Sequence, residues 1–117
     1  MSTVNPIEIK IVIPCLVFKH IQDNPEMILS LMGQQQLDFL KSRIVDSLSE
    51  SDGGPEINDL YVSKFGFEND LGEGVFRMNF TISRRFCCSD VSAANRDYID
   101  FTFEYRNELM IARGSFF

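Results

Sequence analysis

The sequence predicts an α+β fold: a curved antiparallel sheet of about five strands, in the order β-α-α-β-β-β-β, with its helices packed on one face. Three observations carry this. Phe76, Met78, Phe80 and Ile82 alternate with Arg77, Asn79, Thr81 and Ser83, and such alternation of β-formers marks a half-buried strand. Ile99, Phe101, Phe103 and Tyr105 repeat the pattern against Tyr98, Asp100, Thr102 and Glu104. Between these strands and the N-terminal one, apolar residues recur at helical spacing over residues 25–49.

The first strand covers residues 6–13, where Ile7, Ile9, Ile11 and Ile13 alternate with Glu8, Lys10 and Val12. Pro14 has no N–H to donate, so pairing weakens there, and Cys15–Lys19 is expected to continue the strand past a bend. Asn24 followed by Pro25 reads as a helix start, with Asn24 as N-cap. On a helical wheel Met27, Ile28, Leu31 and Met32 share one side, whereas Leu37, Leu40, Ile44 and Leu48 lie on the other. One straight helix would have to bury opposite faces at its two ends. Gly33 sits between the sets, so the spacing predicts a short helix at 25–32 and a longer one at about 34–49. The second is expected to pack Leu37, Leu40, Ile44 and Leu48 on the sheet.

Residues 49–55 form a loop by their Ser, Gly and Pro content. A second strand follows at 57–67, with Ile57, Tyr61, Phe65 and Phe67 on one face and Leu60 and Val62 on the other. Residues 68–74 make a turn, and 75–86 a third strand. The polar stretch 87–96 reads as a loop, 97–105 as the fourth strand, 106–108 as a tight connection and 109–117 as the last strand. This order resembles the cystatin-like and NTF2-like architectures, in which a helix lies across a bent meander. The resemblance is one of topology: the glycine–valine inhibitory loop of cystatins has no counterpart here, and topology alone assigns no function.

A length of 117 residues fits one domain, 1–117, or one part of a longer chain. Apolar residues are 44% and charged residues 24% of the total, ordinary for a globular chain. The eleven Phe without a Trp suit a core that needs no polar partners. The net charge of −6 is concentrated. Residues 46–73 carry eight acids against Lys64 alone, a local −7. Either this is a solvated acidic face, or it steers a basic partner by its field. A nucleic-acid binder would carry the opposite sign, so nucleic acid is not an expected partner. The longest apolar run, 11–18, is too short to span a membrane. Three cysteines imply no disulfide framework, and the N-terminus lacks a signal-peptide layout, so a reducing cytoplasm is the expected compartment.

Chemistry-bearing residues are sparse. His20 is the only histidine, and no nucleophile elbow, phosphate-binding loop or dinucleotide fingerprint occurs. Cys87 and Cys88 are read as strand-end cysteines, and residues 68–73 as a hairpin turn without the spacing of a calcium loop. Arg84, Arg85 and Arg96 flank the 87–95 loop and make a candidate anion or acidic-partner site. Glu50, Asp52, Glu56 and Asp59 are the acidic partner-binding candidates.

The expected function is that of a non-catalytic protein–protein interaction module, such as an inhibitor, an immunity-type protein or a small assembly component. It takes a protein partner, a basic one for the acidic segment, or a second copy through a sheet edge. No cofactor, metal or membrane is called for. The alternative is a domain that holds a small apolar ligand, or an NTF2-like enzyme site, in a Phe- and Met-lined cavity between helix and sheet.

Overall fold

A computed structural model describes residues 6–48, 53–85 and 92–115. The elements are β1 (Ile7–Val12), α1 (Cys15–Ile21), α2 (Met27–Leu31), α3 (Gln34–Ser47), β2 (Glu56–Glu68), β3 (Glu73–Arg85), β4 (Ser92–Arg106) and β5 (Leu109–Ser115). The strands form one antiparallel sheet in the order β1-β5-β4-β3-β2. The α+β class and the helix-on-sheet layering follow the sequence reading; the number of helices does not.

The extra helix is α1. Cys15–Lys19 does not continue the first strand. Pro14 (φ −57°, ψ 146°) ends it and begins a helix in which Phe18 and Ile21 are buried. Phe18 donates its N–H to the Pro14 carbonyl. The Cys15 N–H would lack a partner inside the helix; the carboxylate of Glu108 accepts it at 3.0 Å. That acceptor lies 93 residues away in sequence, which is why local pattern gives no warning of this helix.

The break at Gly33 is present: α2 ends before it, and Gly33 is the N-cap of α3. Asn24 and Pro25 form a turn instead of the first helical residues, with Met27 and Ile28 donating back to their carbonyls. On α3, Leu40 and Ile44 are fully buried, while Leu37 and Leu48 are half-buried against the same core. A helix of 14 residues is about 21 Å long. Four strand spacings measure about 19 Å. Accordingly α3 reaches both edge strands, β1 and β2, and closes the concave side.

β2 departs from the expected alternation. Between Asn58 and Tyr61, and again between Ser63 and Gly66, two residues of β2 oppose one of β3. These are β-bulges, each adding one unpaired residue and reversing which face the following side chains occupy. Asp59 (φ 55°) and Lys64 (φ 53°) take up the left-handed backbone at the two bulges. The inward set therefore becomes Ile57, Leu60, Val62, Phe65 and Phe67. Tyr61, which plain alternation groups with Ile57, Phe65 and Phe67, is instead exposed on the other face.

β4 begins at Ser92, so the expected 87–96 loop is strand from Ser92 onward. Residues 92–96 pair with 81–85, and the sequence Ser-Ala-Ala-Asn-Arg carries no hydrophobic period that would signal it. Cys87 and Cys88 lie outside the described residues. Asn107 and Glu108 have positive φ and connect β4 to β5 as a two-residue hairpin turn.

The core lies wholly between the concave side of the sheet and the helices, and among the described residues it contains no buried polar or charged residue. At one end Phe18 stacks on Tyr105 at 3.8 Å and meets Phe67 edge-on at 4.8 Å, while Phe67 stacks on Phe103. Tyr105 can sit there because its hydroxyl donates to the Ile13 carbonyl at 2.6 Å. Burial first, then a hydrogen bond with the Cys15 thiol and the charge on Glu108, push its phenol up to about 12. The unfolded chain loses that proton near 10, so stability contributed by the neutral phenol is complete below pH 10 and falls as the pH rises towards 12. Tyr105→Phe is expected to lose about 1–3 kcal/mol at neutral pH, because the Ile13 carbonyl is left buried without its donor. The same variant should lack the steepest part of the alkaline fall. Urea unfolding at neutral and alkaline pH checks both; identical curves for the two proteins would refute the assignment.

Candidate functional site

The helices cover one face of the sheet, and among the described residues no element covers the other. Side chains alternate along each strand, so the strand register sorts this convex face into rows that run across the strands. One row is Glu68, Glu73, Glu104 and Ile111; the next is Gly66, Val75, Thr102 and Arg113; a third is Ser63, Arg77 and Asp100.

The rows differ in how their charge is compensated. In the third, Arg77 Nε donates to Asp100 Oδ1 at 2.8 Å and Nη2 to Oδ2 at 3.2 Å. Its guanidinium also lies 3.7 Å from the centre of the Tyr98 ring. The hydrogen bond from Arg77 holds the Asp100 carboxyl below its usual range. Arg113 donates to Glu8 on β1 at 2.7 Å, a bond that likewise lowers the Glu8 carboxyl. By contrast, no ion pair among the described residues reaches Glu68, Glu73 or Glu104. Those three exposed carboxylates stand directly opposite one another on neighbouring strands, an arrangement in which like charges repel.

A groove of about 480 Å³ runs beside the acidic row. Gly66, Val75 and Thr102 form its floor, with Leu71 and Ile111 along the same end. The floor is low because Gly66 has no side chain, and Val75 and Leu71 are half or more exposed. A second groove of about 570 Å³, lined by Tyr98, Asp100 and Gly114 among others, meets the first at Thr102 and Arg113.

The residues singled out from sequence are distributed differently. Arg84 and Arg85 are consecutive on β3 and point to opposite faces. Arg96 pairs with Thr81 while Arg85 pairs with Ser92, so four residues, about 13 Å, separate Arg96 from the Arg85 position. The three arginines do not converge. Arg96 instead shares a groove of about 330 Å³ with Asp59, Tyr61 and Asn79, which brings one acidic and one basic candidate together. Glu56 lies at the start of β2 opposite Ser83. Glu50 and Asp52 fall outside the described residues. His20 and Cys15 are exposed on α1, and no group of three His, Cys, Asp or Glu among the described residues is arranged to hold a metal ion. Among the described residues no helix is long and apolar enough to cross a membrane.

The acidic row escaped the sequence reading in part. Glu68 and Glu73 flank a four-residue turn, and hairpin pairing makes them neighbours. Glu104 joins them only through the register of β3 on β4, which no tight turn sets. No protein-family model, curated protein or solved structure matches this chain.

Proposed function

We propose that this chain is a non-catalytic protein–protein interaction module that receives a basic partner on the uncovered face of its sheet. The observation that carries the reading is the row Glu68–Glu73–Glu104: three facing carboxylates that no ion pair among the described residues reaches. Local rules are broken where function requires it, and lysines or arginines from a partner would remove the repulsion on binding. The acidic excess of residues 46–73 adds a long-range attraction of the same sign.

Two further observations favour the face over an edge and over an interior cavity. Along the free edge of β1, Gln36 on α3 donates to the Lys10 carbonyl at 2.8 Å; along that of β2, the Val62 N–H donates to Glu26 at 3.1 Å. Side-chain caps and bulges of this kind blunt an edge against strand addition. Within the core, Phe18, Phe65, Phe67, Phe103 and Tyr105 pack on one another in the space a small apolar ligand would take.

The test is isolation of the natural protein from its own cells beside a Glu73→Gln/Glu104→Gln form. A basic polypeptide retained by the first, lost from the second and released by raised salt is the expected result. A partner held equally by both forms, or held without regard to salt, would overturn the proposal.

A further inference from the structure

We infer that the element received by the acidic row is an amphipathic basic helix lying across β2, β3 and β4, with lysines or arginines on successive turns of one flank. The inference rests on the interaction-module reading above and adds the shape and spacing of what binds.

The first argument is the direction of the trough. Its floor, Gly66–Val75–Thr102, is one cross-strand row, and its walls are the rows on either side. On β3 the flanking rows stand at Glu73, which lines the groove, and at Arg77, four residues or about 14 Å away. An α-helix with its side chains is about 10–12 Å across, so it fits between them.

A second argument comes from the backbone. An extended segment laid on the face of a sheet finds no strand to pair with, because strand addition works at edges, and its N–H and C=O groups would lose water without replacement. A helix satisfies its own backbone and offers only side chains. The apolar floor then takes the apolar stripe of such a helix.

Charge spacing gives the third. Glu68, Glu73 and Glu104 lie on adjacent strands, so they step by about 4.8 Å and span about 10 Å. Residues i, i+4 and i+7 of a helix step by about 6.0 and 4.5 Å along its axis and span about 10.5 Å. Alternate residues of an extended strand step by about 6.8 Å and overrun the row by the third residue. The opposite wall is already neutral, since Arg77 is paired with Asp100. The helix is thereby oriented with its basic flank towards β2–β4 Glu residues and its uncharged flank towards Arg77.

The test uses three synthetic peptides of equal composition, each about four turns long. In the first, Lys occupies i, i+4 and i+7 on one flank of a Leu stripe. The second carries the same residues with Lys scattered round the helix, and the third alternates Lys and Leu to favour an extended chain. Binding to the full chain is followed by calorimetry and by amide shifts. The patterned helix should bind at Val75 and Thr102 and weaken about tenfold against Glu73→Gln/Glu104→Gln, as expected for the loss of two exposed ion pairs. An Asp23→Asn/Asp38→Asn form, with the same change in net charge at exposed positions on the helical side, should bind within about twofold of wild type.

Preference for the alternating peptide, or equal binding of all three, would overturn the helix while leaving the basic-partner reading to the isolation experiment above. Equal weakening by both variant pairs, or no binding of the patterned helix, would also overturn it.

Discussion

Phe18→Ala is expected to lower the unfolding free energy by about 3–5 kcal/mol and the melting temperature by on the order of 10 °C. Phe18 is 4% exposed and lies within 3.8–6.3 Å of Tyr105, Phe67, Phe65 and Phe103, measured between ring centres. Truncation removes the buried ring and leaves a cavity bounded by other aromatic rings, which are too stiff to collapse into it. The packing contribution of the ring pairs is lost as well, about 0.5–1.5 kcal/mol for each well-placed pair. α1 has only seven residues, too short to hold itself, so the variant should also expose the α1 amides to hydrogen exchange before the sheet opens. Leu16→Ala on the same helix is the control. Leu16 is 74% exposed, and its loss should cost no more than about 0.5 kcal/mol. Urea unfolding of the two variants decides the matter: similar midpoints would mean that Phe18 does not anchor α1.

Gly74→Ala is the second large effect, expected to cost about 3 kcal/mol or more. Gly74 faces the concave side between Phe67 and Phe103. A Cβ there would collide with the backbone carbonyl oxygen of Gly66 and with the Phe103 ring. The ring is stacked on Phe67, and the carbonyl belongs to the neighbouring strand, so neither yields without opening the β2–β3 hairpin. Gly66→Ala offers a sharp comparison on that hairpin. Its Cβ would point to the convex face and meet only Val75 Cγ2 at 3.7 Å, an ordinary contact. Gly66→Ala should fold within about 0.5 kcal/mol of wild type. Thermal unfolding and exchange of the β2 and β3 amides would show whether the two glycines differ in this way; equal effects would refute the close approach at Gly74.

The same strand separates what was legible from what was not. Phe76, Met78, Phe80 and Ile82 announce their burial by strict alternation, and all four are buried. β2 has the same kind of residues but two bulges, and each shifts the inward set by one. Bulge positions that need positive φ are commonly marked by glycine. Here Asp59 and Lys64 occupy them, so the usual mark is absent and plain alternation groups Tyr61 with Ile57, Phe65 and Phe67, from which the bulges part it. The capped helix α1 is a similar case: its start depends on a carboxylate across the β4–β5 turn, and no residue near Cys15 reports it.

The candidate site divides along the same line. An excess of acid in 46–73 is visible in the residues themselves, as is the presence of a single histidine. Arg84, Arg85 and Arg96, close in sequence, are parted by strand alternation and by distance along β4.

The amino-acid sequence by itself determined the α+β class, the one-sided apolar sheet, the break at Gly33 and the core residues of β1, β3 and β4. Those follow from local periodicity, because burying one face of a regular element dictates every second or every third to fourth residue. Tertiary structure alone decided the β1-β5-β4-β3-β2 order, the bulges of β2, the anchoring of α1 by Phe18 and the alignment of Glu104 with Glu68 and Glu73. Each of these depends on register between segments far apart in the chain, which is set by the summed packing of the whole sheet and leaves no trace in the spacing of neighbouring residues.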